Sequence, residues 1–190
     1  LPDIPGYGNN CLMNDLALSL RQARPSDAAD LARIYIDSWQ DTYPGILPHA
    51  LLGGMSLKSH TARWRSTMRG GGVLVAEADK HGVIGLASLG AARDGGLGFD
   101  GEIYTLYVDP AFLGMGAGTA LLHGAFAALK ERKFHSCLIW SHARNNACFF
   151  YEAMGGLRIA ERTTRLGGAP VPEIGFGWKR LAVQPRRIAI

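Results

Sequence analysis

Near the start of the ordered pattern, Leu18, Leu20 and Gln22 alternate with polar or small neighbours, a period of two that predicts a first strand. The period then changes. Pro25-Ser26-Asp27 makes a helix start, with Ser26 as N-cap and Asp27 and Asp30 in the electropositive first turn. Ala28, Leu31, Ile34 and Tyr35 recur at spacings of three and four, so an amphipathic helix is expected to run to about Trp39. Pro44-Gly45 breaks it and leaves Trp39 and Tyr43 in an exposed loop. A second helical region is expected over residues 50–69, stopped by Gly70-Gly71-Gly72. VLVAEADKHGVIGLASLGA reads as two β-runs joined at Asp79-Lys80-His81-Gly82, a hairpin. After the glycine-rich loop RDGGLGFDG, the apolar β-run EIYTLYVDP ends at Pro110. There follow a glycine loop with a long helix (FLGMGAGTALLHGAFAALKERK), a strand (FHSCLIWS), and a short helix (NNACFFYEAM) closed by Gly155-Gly156. A second hairpin turns at Gly167-Gly168. This order predicts a single mixed α/β (α+β) domain over residues 17–182 with a largely antiparallel sheet. Residues 1–16 read as a Pro-, Gly- and Asn-rich extension, and residues 183–190 as a tail.

Composition narrows the function. With 190 residues, 47% apolar and 19% charged, the chain suits one globular core. Its net charge of +4 belongs to one end: Lys179, Arg180, Arg186 and Arg187 set aside, 16 cations meet 16 anions. No basic stripe crosses the body, which argues against a nucleic-acid partner. Three cysteines (Cys11, Cys137, Cys148) at unrelated spacings make neither a disulfide framework nor a zinc pattern. Cys137 and Cys148 lie in apolar segments and read as small buried hydrophobes. Six scattered histidines, with no pair at ligand spacing, offer no metal site. No apolar run nears the ~18 residues of a membrane span, and LPDIPGYGNN lacks the layout of a signal peptide. The expectation is a cytoplasmic protein with no membrane partner.

Gly114, Gly116 and Gly118 carry the most chemistry. They sit between a strand and a helix, where unpaired N–H groups and the helix dipole favour an anion and the missing Cβ atoms let it reach the backbone. A pyrophosphate fits; close packing of the helix on the sheet is the structural alternative. A P-loop would need Gly-Lys-Ser/Thr, whereas Gly118 is followed by Thr119 and Ala120. A Rossmann turn would follow its strand directly and meet an acid at the end of the next one; five residues intervene here, and that strand ends Trp140-Ser141-His142.

The run LYVDPAFLGMGAGTALL resembles the acetyl-coenzyme A loop of the GNAT (Gcn5-related) N-acetyltransferases, through Leu106, Val108 and Pro110 in the strand and Gly116 and Gly118 in the loop. Leu113 stands where that family has Arg or Gln. NNACFFYEAMGG is similar to a second family segment, through Asn145, Ala147, Phe150, Tyr151, Glu152 and Gly155. The likeness spans residues 17–181. It implies a sheet of about seven strands, helices on both faces, and a central parallel pair, residues 102–109 and 134–141, that splays apart. Acetyl-CoA would be the co-substrate, held by Leu106, Tyr107 and Val108, by Leu113, Gly114, Met115, Gly116, Ala117, Gly118 and Thr119, and by Asn145, whose alternative role is helix capping. Lys130, Arg132, Lys133 and Arg144 are available for its ribose phosphate.

Acetyl transfer to an amine raises two proton problems. A lysine-like amine with a pKa of ~10.4 is neutral in only about 1 of 2,500 molecules at pH 7, a handicap of ~4.6 kcal/mol. Glu102 is the candidate base; a solvent-facing carboxylate at a strand edge is its other reading. Tyr151 corresponds to the family tyrosine that protonates the departing thiolate; a core aromatic beside Phe149 and Phe150 is its other reading. Trp39, Tyr43 and His142 are expected to line the acceptor side, His142 as a reserve base. No Cys or Ser stands in a nucleophile's setting, so direct attack in a ternary complex is expected, on a small-molecule amine or a protein N-terminus. The competing class is a non-catalytic coenzyme A-binding or interaction module. A third reading, of FYEAMGG as part of a glyoxalase-type metal fold, would need a duplicated βαβββ pattern and His/Glu ligand sets that this sequence lacks. The exposed C-terminal strand is a candidate for pairing across a homodimer.

Overall fold

A computed structural model describes residues 17–181; the expected extension at 1–16 and tail at 183–190 lie outside the described residues. Seven strands form one sheet: β1 (Leu18–Gln22), β2 (Val73–Ala78), β3 (Gly82–Ala91), β4 (Gly101–Val108), β5 (Cys137–His142), β6 (Leu157–Leu166) and β7 (Ala169–Trp178). Their order is β1-β2-β3-β4-β5-β7-β6, and every neighbouring pair is antiparallel except β4–β5. Five helices accompany it: α1 (Ala28–Thr42), α2 (His49–Gly53), α3 (Leu57–Arg69), α4 (Ala117–Glu131) and α5 (Ala147–Ala153).

The apolar run of β2 follows from cover on both sides. Val73 and Val75 pack against Leu31, Ile34 and Trp64 of α1 and α3, while Leu74 and Ala76 turn to α4. Successive side chains of a strand point to opposite faces, so a strand buried twice is apolar at every step. Helix α5 joins α4 on its face through Cys148 and Tyr151, which meet Ile174, Phe176 and Trp178 of β7. Cys137 and Cys148 are both buried thiols.

Four local readings need correction. Helix α1 runs past Trp39 to Thr42 and stops where Tyr43 meets Pro44, since a residue before proline avoids the helical region. Asp27, at the end of a short 3-10 turn, is the N-cap residue in place of Ser26; its carboxylate accepts from the Arg24 N–H at 2.6 Å and from Arg21. The helix expected over 50–69 is two helices. Gly54 ends α2, where a Cβ would lie 2.9 Å from the Ala50 carbonyl oxygen, and Ser56 opens α3 by accepting the Ser59 N–H. The last strand is no edge: β7 lies between β5 and β6, so cross-dimer pairing through it is ruled out by its own hydrogen bonds.

The feature that positions the site is the incomplete β4–β5 ladder. Pairing covers Gly101↔Cys137, Glu102↔Leu138 and Ile103↔Ile139, and stops. At that height β4 bulges against β3: Ser88 pairs Thr105 and Leu89 pairs Ile103, leaving Tyr104 as an extra residue. A bulge bends and over-twists its strand, and here it turns β4 off β5 while β5 stays zipped to β7 up to His142↔Glu173. The closed end is fastened by Asp100, which accepts from the amides of His135 and Ser136 at 2.8 Å each and from Ser136 Oγ at 2.6 Å. Gly101 allows the close approach, since a Cβ there would lie 2.8 Å from the Ser136 carbonyl oxygen.

Partial burial opposes ionisation of Asp100, but these hydrogen bonds outweigh it and hold its carboxyl well below the usual carboxylate range. A depressed folded-state pKa stabilises the fold fully above the unfolded value near ~3.9 and loses that contribution as pH falls below it. Asp100→Ala is expected to cost about 1–2 kcal/mol at neutral pH and to flatten the acid limb of stability, measured by urea unfolding from pH 7 to pH 3.

Candidate active site

Between β4 and α4 the chain makes a cradle. Gly114 and Gly116 adopt φ of 76° and 87°, and an ideal Cβ at either would meet nothing within 4 Å. Glycine is required there by backbone conformation, and the space beside it is open. The amides of residues 114–119 donate to no acceptor among the described residues; the first intrahelical bond of α4 runs from Ala120 N–H to the Gly116 carbonyl. Gly118 is different: its Cβ would touch the Phe150 ring at 3.7 Å, ordinary contact, so α4 does not need that glycine to pack. Close packing of the helix therefore does not account for these glycines. Leu113 is 57% exposed at the rim and Met115 half-buried. Upstream, Asp109 (9% exposed) accepts from the Ala111 N–H at 3.0 Å and from Arg33 of α1 at 2.7 Å, which fixes the strand end from which the cradle springs.

Four cations proposed for a ribose phosphate reduce to one. Lys130 lies thirteen residues along α4 from Ala117, about 20 Å at 1.5 Å per residue, and Arg132 and Lys133 follow it. Arg144, in the β5–α5 connection, is the one at the open end.

In the gap above Ile103 three phenols converge from three elements. Tyr43 stands at the end of α1, Tyr107 on β4 and Tyr151 on α5. Burial raises the pKa of each, and Tyr151 and Tyr107 are raised further by their phenolic neighbours. Tyr107 Oη accepts from Trp39 Nε1 at 2.9 Å, and Tyr43 Oη accepts from Asn145 Nδ2 at 3.1 Å. Tyr151 differs: its ring is 4% exposed, yet its hydroxyl has no partner among the described residues and is not sealed from solvent. It is a protonated donor facing an opening. Leu106 and Val108 border the same gap, and the Val108 carbonyl accepts from Ser38 Oγ at 3.1 Å.

The expected acceptor residues sit differently from their sequence reading. Trp39 is within α1 and half-buried, and Tyr43 is 7% exposed rather than looped out, because Tyr43 packs between Trp39, which it meets edge to face, and the tilted ring of His142. His142 Nδ1 accepts the Arg144 N–H at 3.0 Å, which assigns the proton of the neutral ring to Nε2. Burial, helped by Arg144, lowers its pKa. At neutral pH His142 is thus a donor, and its role as reserve base is withdrawn. Asn145 Oδ1 caps α5 through the Ala147 N–H at 2.8 Å while its amide holds Tyr43, so both ends serve positioning. Glu102 is neither exposed nor free: 1% accessible, it takes the Arg93 N–H on one oxygen at 2.8 Å and the Arg93 guanidinium on the other.

Three residues of this face escaped the sequence reading: Arg93, Trp140 and Glu173. Trp140 has a buried, unpartnered indole N–H, with Arg162 3.9 Å over its ring. Glu173 is the direct partner of His142 across β5–β7 and accepts from Arg162 Nε at 2.7 Å. The only signal for them is strand pairing, which a sequence without its sheet order does not contain. Among the described residues no group of three His, Cys, Asp or Glu could hold a metal ion, and no helix is long and apolar enough to cross a membrane.

Comparison with known proteins bears on the family and the fold. Residues 29–156 match the acetyltransferase (GNAT) family. A protein of Bacillus subtilis (strain 168), named as an uncharacterized N-acetyltransferase, YuaI, is 34% identical over 165 residues, covering 87% of this chain and 95% of that one. In fold, the chain is similar to a GCN5-related N-acetyltransferase from Rhodopseudomonas palustris (TM-score 0.68, 21% identity, 84% of this chain and 93% of that one). It is also similar to yncA, a putative acetyltransferase from Salmonella typhimurium solved with acetyl-CoA (TM-score 0.62, 21% identity, 91% and 99%). A split parallel pair, a cradle of unpaired amides and an unpartnered phenol thus occur where the acetyltransferase sequence pattern lies, and the chain belongs to the GNAT acetyltransferase family.

Proposed function

We propose that this protein transfers an acetyl group from acetyl-CoA to a primary amine by direct attack while both substrates are bound. The single observation that carries the reading is the row of unpartnered amides at 114–119 opening beside a parallel strand pair that parts after Ile103. The residues fit the co-substrate: a helix N-terminus with positive-φ glycines suits a pyrophosphate, and the unladdered edge of β4 at Leu106, Tyr107 and Val108 suits an extended amide-bearing arm, as an added strand would. Acetyl-CoA would supply the thioester carbonyl that an amine attacks and the thiolate that leaves.

Tyr151 donates to that leaving sulfur. Burial lifts its pKa, so at neutral pH the phenol is protonated and donates a hydrogen bond to the sulfur as charge develops there, its proton passing over only as the acylated nitrogen returns one to it. Backbone amides at the β4 edge polarise the carbonyl. Glu102, the base nominated by the sequence, stands four residues before Leu106, about 13 Å along the strand at ~3.3 Å per residue; with Arg93 on both oxygens, it would act only through a chain of waters. The acceptor side is the α1 face, where Trp39, Tyr43 and His142 form an aromatic wall suited to a half-hydrated amine. A small-molecule amine and a protein N-terminus both meet these requirements.

Gly116→Ala is expected to weaken acetyl-CoA roughly 5- to 30-fold, because a Cβ at positive φ costs about 1–2 kcal/mol; calorimetry measures it. Tyr151→Phe is expected to lower kcat about 100-fold with the acetyl-CoA KM unchanged, followed by thiol release with a panel of primary amines. Full activity in Tyr151→Phe would sink the proton-donor role, and a wild-type protein that binds coenzyme A yet acetylates no amine would mark the non-catalytic module instead.

A further inference from the structure

The strand register sets a carboxylate other than the one that the sequence suggests at the height of the open β4 edge. Steps continued upward from Ile103↔Ile139 bring His142 level with Leu106, to within the one bulged residue. Glu173 faces His142 across β5–β7, and cross-strand partners share a face. Glu173 therefore stands at the height of the open β4 edge, on the α1 side of the sheet, with Tyr151 below on the α5 side. Glu102 stands at the closed end. The two also differ in what is left for a ligand. Glu102 is 1% exposed with both oxygens held by Arg93. Glu173 has 20% of its side chain exposed, and only Oε2 is engaged, by Arg162 at 2.7 Å; Oε1 accepts from no described residue. An open hollow of about 380 Å³ lies beside it on the side away from β4, walled by Ala143 and by residues 161–163 of β6 and 172–174 of β7.

Resting on the acetyl-transfer reading, we propose that Glu173 Oε1 binds the acceptor as its ammonium ion and takes the proton that must leave before attack. The acceptor class is then a primary amine that arrives charged. The groups facing Glu173 are Arg162 of β6, His142 of β5, Tyr43 at the end of α1, and Arg93 of the β3–β4 connection. Arg162 and Arg93 are offset by Glu173 and Glu102 themselves, so the four charges sum to zero. His142 is neutral at neutral pH, and Tyr43 keeps its proton, so neither contributes a competing charge. In the reaction the nitrogen–carbon bond forms as the carbon–sulfur bond breaks. Of the two protons that nitrogen sheds, one goes to Glu173 and on to water; the other restores the proton that Tyr151 gives to sulfur.

The test is Glu173→Gln, with Glu173→Asp and Glu102→Gln beside it, assayed with n-butylamine, 1,4-diaminobutane and a peptide bearing a free α-amino group. For Glu173→Gln, kcat/KM for the amine should fall at least 100-fold at pH 7, and the deficit should shrink by about tenfold per pH unit as the amine loses its own proton. The dissociation constant for acetyl-CoA should stay within twofold, and amine binding to the protein–coenzyme A complex should weaken at least tenfold by calorimetry. Glu173→Asp, which keeps the charge, should recover part of the loss. If Glu173→Gln stays within threefold of wild type at every pH, or if the pH-dependent deficit appears in Glu102→Gln instead, the inference is overturned while acetyl transfer stands. A wild-type protein that acetylates none of these amines overturns both.

Discussion

One β-bulge decides what this sheet can do. A parallel ladder that ran the full length of β4 and β5 would satisfy every backbone group between them and leave no room for a substrate. Placing Tyr104 as an extra residue against β3 twists β4 away after three paired residues. The opening survives because both of its sides are held by other partners: β4 by β3 up to Val108, β5 by β7 up to Glu173. Asp100 ties the bottom, so the strands diverge from a fixed point instead of drifting apart. The gap is thus a property of hydrogen bonds made elsewhere.

Polar groups around the gap divide into those that hold the frame and those that remain for a ligand. Asn145, Trp39 Nε1, Ser38 and Arg33 are all committed within the protein: to the α5 cap and Tyr43, to Tyr107, to the Val108 carbonyl, and to Asp109. Among the described residues, those left over include the amides of 114–119, the Tyr151 hydroxyl, the Trp140 indole N–H and one oxygen of Glu173. Unpartnered donors and acceptors are costly in a folded protein unless water or a ligand completes them. Their distribution, with donors at the cradle and beneath the slot and an acceptor above it, is the one that the proposed transfer from a pyrophosphate-bearing thioester to an ammonium calls for.

Much of this was legible from residues alone. Alternation marked the first strand and apolar β-runs bounded by turn residues marked the other six, because a strand's own positions and its ends carry that information locally. The turns at Gly114 and Gly116 were legible because positive φ favours glycine whatever surrounds it, and Tyr151 was singled out because its segment, with Asn145 and Phe150, resembles one of the family's. Helix limits were read less well. The break at Gly53-Gly54 was carried in residues that a longer helical period ran over, and the last turn of α1 extends until a proline forbids it.

What only the tertiary structure decided is which side chains meet across strands distant in sequence. Glu102 lies on a strand of the expected type, but its burial and its bond to Arg93 come from the return of the β3–β4 connection over the sheet. His142 is at a strand end as read, but its Nδ1 is taken by its own loop. Glu173 carries no local pattern; it matters because β7 inserts between β5 and β6 and sets it beside His142. Conformational preference is local and can be read along the chain. Proximity is not, because it depends on strand order, and strand order is chosen by the packing of the whole sheet.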